Sequence, residues 1–422
     1  MTLNDDKWID FFLSRCQNLT KPVVLKEQID KSAILKFQDI VLDVFRNLST
    51  IQQTKRMRIY LEDYGQTDAK MIVHNTPPNK GETIERWSER CFSNNRFGII
   101  LNSAQNYSDD LLKIIESLFS PLTERLGVPY GGFDITLFLG NYGFTPLGFH
   151  KDPIGHKVTH FHLGPGKKEM YLIDSSLYEN ELRNITLSID GFKGCMAFNE
   201  LIPHSIKYEI EAGDIFYMPN GYYHVGNSPD LSVAITIWHI EPTVRDIQNE
   251  LNLKLIDKIF SSTNENLIKS GNPENYFEQV MNEIKPILSY EDNYADLPLK
   301  EILPLLLREH FMELESNSFF ISKSYPKNIV FEPVKDQLFC RNEPFKIVFE
   351  KLDQENALIF IRGHRKIFPY HIGMVPFIKD LNEGKTLSIE SMLETFGDEW
   401  EDEVTITFLK MLINYRVVNL IN

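Results

Sequence analysis

In the run GFTPLGFHKD, His150 and Asp152 occupy alternate positions of a stretch that reads as a strand, so both side chains face the same way. Such a pair can fill two adjacent positions around a divalent metal. Alone it carries little weight: with 11 His and 59 acids in 422 residues, ~1.5 His-x-acid pairs arise by chance, and His239 with Glu241 is another. The second feature is EAGDIFYMPNGYYHVGNS, from Glu211 to Ser228. Gly213-Asp214 supplies a turn, Ile215 to Met218 a strand, Pro219-Asn220-Gly221 a second turn, and His224 begins or precedes the next strand. A histidine thereby returns toward the core after a tight reversal. His150, Asp152 and His224 together form the two-histidine, one-carboxylate set that binds non-haem Fe(II) and leaves three positions open. For either feature alone, a histidine satisfying a backbone carbonyl is the plainer reading; their order and spacing together favour the metal.

The elements that must position these residues form a β-rich stretch between about 131 and 241, with short runs such as FDITLFLG, KVTHFHLG, KKEMYLID, CMAFNE, KYEIEAGD, DIFYMP and LSVAITIWH. Short strands at roughly ten-residue intervals indicate a sandwich or barrel of jelly-roll type. Before it, SAILKFQDIVLDVFRNL and DDLLKIIESLFSPLTERLG read as helices, and KPVVL and MRIYLED as strands, giving an α+β chain. After Pro242, Val244, Ile247, Leu251, Leu255 and Ile259 mark one helical face, and PLKEILPLLLREHFMEL gives a second helix after the loop SYEDNYADLP. Such a pair either covers a β-core or builds a homodimer contact. Beyond about 320, the strands FKIVFE and ALIFIR, the helices SIESMLETF and EDEVTITFLKMLIN and a closing strand VVNLI resemble a winged helix. The expected division is 1–241 for the β-core with its N-terminal cover, 242–320 for a helical connector and 321–422 for the winged-helix-like unit.

Composition fits this division. Hydrophobic residues at 42% and charged residues at 24% are globular proportions, and the length implies two or three domains. The net charge of −15 argues against a phosphate-binding surface and suits a basic partner, so nucleic acid is not expected. DEWEDE at 398–403 beside the winged helix makes protein or peptide contact the better reading there; a packing module is the plainer one. Cys16, Cys91, Cys195 and Cys340 stand far apart without a CxxC pair, which fits a reducing cytoplasm. No basic, apolar leader opens the sequence and no apolar run nears about eighteen residues, so a membrane is not expected.

KPVVL, the H-x-D at 150–152, the G-x-K followed by an apolar strand at 166–173, and GDIFYMPNGYYH at 213–224 together resemble the JmjC or cupin-like Fe(II)- and 2-oxoglutarate-dependent oxygenases. A helical pair and a winged helix after the β-core resemble their ribosomal-oxygenase branch, which hydroxylates protein side chains. The resemblance implies a double-stranded β-helix core and iron held by His150, Asp152 and His224, with 2-oxoglutarate and O2 as co-substrates. It implies a basic anchor for the distal carboxylate of 2-oxoglutarate on the strand GKKEMYLID. There Lys168, Met170 and Leu172 share a face, opposite Lys167, Glu169 and Tyr171, so Lys168 is the expected anchor. The hydroxyl that often assists that carboxylate falls on Leu147, which makes Thr145 the nearest substitute, with Tyr142 and Thr236 as other polar neighbours. Phe138, Phe149, Phe161, Phe216 and Trp238 are candidates to exclude water. His156, His160 and His162 depart from the pattern; they either line the pocket or lie on a partly exposed strand, and the latter is favoured. The function implied is hydroxylation of an amino-acid side chain in a ribosomal-type protein or a ribosomally made precursor peptide. The competing class is a non-oxidative, metal-dependent cupin enzyme acting on a small molecule, which needs the triad but not Lys168.

Overall fold

The computed structural model describes residues 5–51, 56–61, 66–93, 95–182, 198–259, 298–397 and 400–421. Two compact units emerge, one formed by 1–241 with 314–422 and the other by 242–313.

The first unit begins with helix α1 (Asp6–Arg15), strand β1 (Val23–Leu25), helix α2 (Lys31–Leu48) and strand β2 (Met57–Leu61). Helices α3 (Gln66–Asn75) and α4 (Ile84–Phe92), strand β3 (Phe97–Leu101) and helix α5 (Asp109–Leu126) follow. Sequence sets these boundaries through capping: Asp5, Asp30, Thr83 and Ser108 each accept a hydrogen bond from a free N–H in the first helical turn.

The β-rich stretch supplies β4 (Phe133–Gly140), β5 (Gly143–Phe144), β6 (His150–Lys151), β7 (His156–Pro165) and β8 (Lys168–Asp174). It continues with β9 (Ile206–Ile210), β10 (Ile215–Met218), β11 (Tyr222–Ser228) and β12 (Ser232–Ile240). These build two antiparallel sheets: a seven-stranded one in the order β1-β10-β7-β12-β4-β3-β2, and a smaller one in the order β5-β11-β8-β9 with β6 paired to β11. The chain passes back and forth between the sheets from β4 to β12, which is a double-stranded β-helix of the jelly-roll type. β2 and β3, read from sequence as part of a cover, extend the large sheet itself.

Alternation along three adjacent strands sorts the side chains. Ile135, Leu137 and Leu139 of β4, Phe161 and Leu163 of β7, and Val233, Ile235 and Ile237 of β12 join a core with Trp8, Phe12, Phe45 and Ile115 of the helices. Removing each such side chain from water contributes about 1.5–3 kcal/mol, which holds the helices on this face. The opposite face carries Phe138, His160, Thr236 and Trp238 toward the small sheet. The GD turn before β10 anchors the edge of the large sheet. Its Asp214, almost fully buried, accepts hydrogen bonds from Glu27 N and Lys26 Nζ and so ties β1 beside β10.

In the C-terminal part, β13 (Leu338–Arg341) pairs with β17 (Leu387–Ser388) and β18 (Val418–Ile421), while β14 (Val348–Lys351), β15 (Asn356–Ile361) and β16 (His364–Pro369) form a meander. Helices Met374–Asn382, Ile389–Phe396 and Asp402–Asn414 pack Phe377, Phe396 and Phe408 together with Phe339, a winged-helix-like arrangement. Sequence had not signalled β13, β16 or the first of these helices. The FKIVFE strand starts only at Val348, because Phe345 N donates to Asn342 O in a turn. Phe198–Leu201 is a helical turn where CMAFNE suggested a strand; Cys195 to Ala197 lie outside the described residues, as do Asp398 and Glu399 of DEWEDE and SYEDNYADL of the loop at 289–298. In the second unit, Leu251 of helix Val244–Ile259 clusters with Ile302 and Leu306, and Lys254 Nζ pairs with Glu313 at 2.7 Å. Among the described residues no helix is long and apolar enough to cross a membrane.

Candidate metal centre

Antiparallel register brings the triad together. His150 of β6 is the direct cross-strand partner of His224 on β11, and their ring centroids lie 4.3 Å apart. Asp152 follows β6 and turns its carboxylate between them, with Oδ1 at 4.0 Å from His150 Nε2 and Oδ2 at 3.7 Å from His224 Nε2. One ligand atom from each of the three residues lies within 4.8 Å of the others. The second ring nitrogens are already engaged: His150 Nδ1 sits 2.9 Å from Gly148 O and His224 Nδ1 3.4 Å from Tyr222 O. As donors to carbonyls, these nitrogens leave both Nε2 lone pairs facing Asp152.

The electrostatics agree with this tautomer. Burial, together with the neighbouring His224, lowers the His150 pKa to about 4, and burial lowers that of His224 to about 4 as well, so both rings are neutral at physiological pH. Burial raises the Asp152 pKa, against the opposing pull of His150 and His156. Asp152 Oδ2 is buried and has no hydrogen-bond partner among the described residues. A buried carboxylate oxygen without a donor, facing two neutral imidazole nitrogens, is a donor set that fits a divalent cation.

The triad borders a cavity of ≈ 230 Å³ between the two sheets. Lys168 opens β8, is only 3% exposed and lines this cavity, its Nζ 3.1 Å from Tyr142 Oη and 4.8 Å from the Phe138 ring centroid. Lys167 points the other way, 3.6 Å from Glu169. Room for Lys168 depends on Gly226 of β11: a Cβ there would lie 3.3 Å from Lys168 Cε, Met170 Sδ and Thr145 Oγ1. Thr145 also lines the cavity and donates to Gly226 O at 3.0 Å. Tyr142 backs Lys168; burial alone would raise its pKa, but the charge of Lys168 and hydrogen bonds from Ser228, Lys168 and Thr145 turn the net direction downward.

Thr236 lines the cavity with its Oγ1 2.8 Å from His160 Nδ1. His160 and His162 are buried, not on a partly exposed strand as favoured from sequence, because β7 runs between β10 and β12 in the middle of the large sheet. His160 borders the cavity, and its Nε2 has no hydrogen-bond partner among the described residues. His162 is engaged structurally, with Nε2 2.8 Å from Gly166 O. His156 stands at the strand end, edge-on to Trp238. Of the five candidate water-excluding rings, Phe138, Phe216 and Trp238 line the cavity, whereas Phe161 faces the helices and Phe149 packs beside Ile173 and Leu182. Sequence reasoning missed Arg58, Asn102 and Lys151, which also line it; Lys151 is adjacent to His150, but Arg58 lies on β2 and Asn102 directly after β3, strands whose nearness to the site depends on long-range pairing.

No family model matches this chain, and no curated protein matches it. Among solved structures it is similar to an X-ray structure of Escherichia coli ycfD, at 14% identity and a TM-score of 0.45, covering 98% of each chain. It is likewise similar to YcfD, described as a ribosomal oxygenase from Escherichia coli, in complex with cobalt and succinic acid (14% identity, TM-score 0.43) and with cobalt and 2-oxoglutarate (15% identity, TM-score 0.42), each over 98% of both chains.

Proposed function

We propose that this protein is an Fe(II)- and 2-oxoglutarate-dependent oxygenase that hydroxylates an amino-acid side chain in a protein or peptide. The observation that carries the reading is the joint presence, in one cavity, of the His150–Asp152–His224 set and the buried Lys168 ammonium. A non-oxidative cupin enzyme needs the first and has no use for the second.

The overall change consumes 2-oxoglutarate, O2 and a C–H bond and yields succinate, CO2 and a C–OH group. Bound at the triad, iron supplies the redox chemistry that couples decarboxylation of the keto-acid to oxygen insertion. The chain itself does the holding and the shielding. His150, Asp152 and His224 would hold the metal at the edge of the cavity they line. Lys168 binds the distal carboxylate of 2-oxoglutarate as a charge-assisted donor, with Tyr142 Oη and Thr145 beside it. Phe138, Phe216 and Trp238 keep water from the reacting atoms. Gly148 O and Tyr222 O fix the ligand tautomers.

The test adds Fe(II) and 2-oxoglutarate to the protein without oxygen and looks for a visible charge-transfer band, then admits O2 and quantifies succinate. Folded, metal-loaded protein that gives neither signal sinks the reading.

A further inference from the structure

Among the described residues, the charged ones lining the cavity are Arg58, Lys151, Lys168 and Asp152. Under the reading above, on which this inference rests, Asp152 is committed to the metal and Lys168 to the co-substrate. The metal's two positive charges and the co-substrate's two negative ones cancel, so the lining keeps three cations against one carboxylate.

Arg58 and Lys151 remain for the substrate, and both are exposed at the mouth, with the exposed Leu147 beside them. Their placement is built in by strand alternation. On β2, Met57, Ile59 and Leu61 turn into the helical core while Arg58 turns to the other face. There it heads a cross-strand row, Arg58 opposite Ile100 and Ile100 opposite Phe138, that runs along the cavity wall. Lys151 follows His150 directly and is the cross-strand partner of Tyr223, with Nζ 5.8 Å from that ring centroid. Among the described residues no hydrogen bond or ion pair engages the Arg58 guanidinium.

A lysine or arginine side chain entering here would meet cations and, among the described residues of the lining, no carboxylate beyond Asp152. A carboxylate would meet a guanidinium fork shaped to receive it, with an ammonium nearby. We propose that the residue delivered to the metal is an aspartate or glutamate of a protein or peptide, selected by Arg58 with support from Lys151. The chain's net charge of −15 does not oppose this, since exposed acids farther than about 8–10 Å away are screened at physiological salt while the mouth acts at contact. Electrostatic complementarity of this kind sets specificity before affinity.

The test presents the Fe(II)-loaded enzyme, with 2-oxoglutarate and O2, with a pool of capped peptides whose central residue is Asp, Glu, Asn, Leu, Lys or Arg in randomised neutral flanks. Peptides that gain one oxygen are identified by mass. The expected result is at least about tenfold enrichment of Asp and Glu over Lys and Arg, lost in Arg58→Ala and inverted toward Lys and Arg in Arg58→Glu. Circular dichroism of these exposed-site variants controls for folding. Preference for Lys, Arg or Leu in the wild type, a ratio unmoved by Arg58→Glu, or succinate formation with no peptide modified would each overturn the proposal. If no succinate forms although metal is bound, the oxygenase reading fails instead. Anaerobic capture of the same peptide pool by the Co(II)-loaded protein then still decides which charge the mouth selects.

Discussion

Lys168 Nζ lies 3.1 Å from Tyr142 Oη, and the ammonium is otherwise faced by the Phe138 ring at 4.8 Å. Neither neighbour neutralises a buried cation, so the pair forms a seat for an entering anion. Removing the charge from such a seat costs roughly 2–5 kcal/mol of binding, and removing a neutral hydrogen bond roughly 0.5–1.5 kcal/mol. Lys168→Ala is therefore expected to weaken 2-oxoglutarate binding to the Co(II)-loaded protein by at least ~30-fold, and Tyr142→Phe only a few-fold. Anaerobic calorimetry reads both. An unchanged dissociation constant in Lys168→Ala returns the anchor role to another residue.

Asp152 carries a buried oxygen with no hydrogen-bond donor among the described residues, and burial raises its pKa. A raised carboxyl pKa means that the folded apo-protein holds the proton more tightly than the unfolded chain, so this group makes the apo form less stable as pH rises from the ordinary carboxyl range through its raised folded value. Asp152→Ala should consequently abolish stoichiometric Fe(II) or Co(II) binding while leaving the melting temperature of the apo-protein unchanged or higher. Metal analysis and thermal scans test the two halves separately. Full metal occupancy in the variant would show that the triad is misassigned.

How much of this could be read in advance follows from the range of each signal. His150, Asp152 and His224 are visible because two short motifs carry them, and Lys168 because period-two alternation separates it from Lys167. Alternation also groups His160 with His162 and Thr236 with Trp238, but it cannot tell which face of a strand meets a cavity. That depends on β7 lying between β10 and β12, a pairing of segments far apart in sequence. Arg58 is the extreme case, an ordinary surface arginine until β2 and β3 extend the large sheet past β4. The strand HRKIFP escaped notice because its polar and apolar residues alternate only weakly, and its partner β15 is what defines it.

Arg362, fully buried, stacks its guanidinium 3.4 Å from the Phe345 ring centroid and donates from Nη2 to Asp109 Oδ1 at 2.8 Å. Asp109 stands in the first turn of α5, where helix polarity also favours a negative charge. Burial acts to raise its pKa, but Arg362 and Arg416 outweigh this and hold it below the usual range. The pair thus clamps the β15–β16 turn to a helix of the N-terminal cover. Asp109→Ala leaves a buried cation uncompensated and should destabilise folding by ~3–5 kcal/mol. In a double-mutant cycle, adding Arg362→Leu should recover part of that loss; full additivity of the two changes in urea unfolding would sink the argument.

His162 gives a pH signature separate from the metal site. Burial lowers its pKa to about 4, the accepting carbonyl of Gly166 only partly opposing it, so the ring stays neutral in the folded state. Below pH ~6.5 the unfolded chain takes up a proton that the folded protein does not, so stability falls with pH until the folded ring also titrates near 4. Between pH 7 and 5 this one ring should account for a loss of about 2 kcal/mol. His162→Gln keeps a donor for Gly166 O and has no proton to gain. Its urea-unfolding free energy should decline over that interval by correspondingly less than that of the wild type, with His150, His224 and the other buried histidines contributing equally to both. Identical declines would mean that His162 is not held neutral by burial.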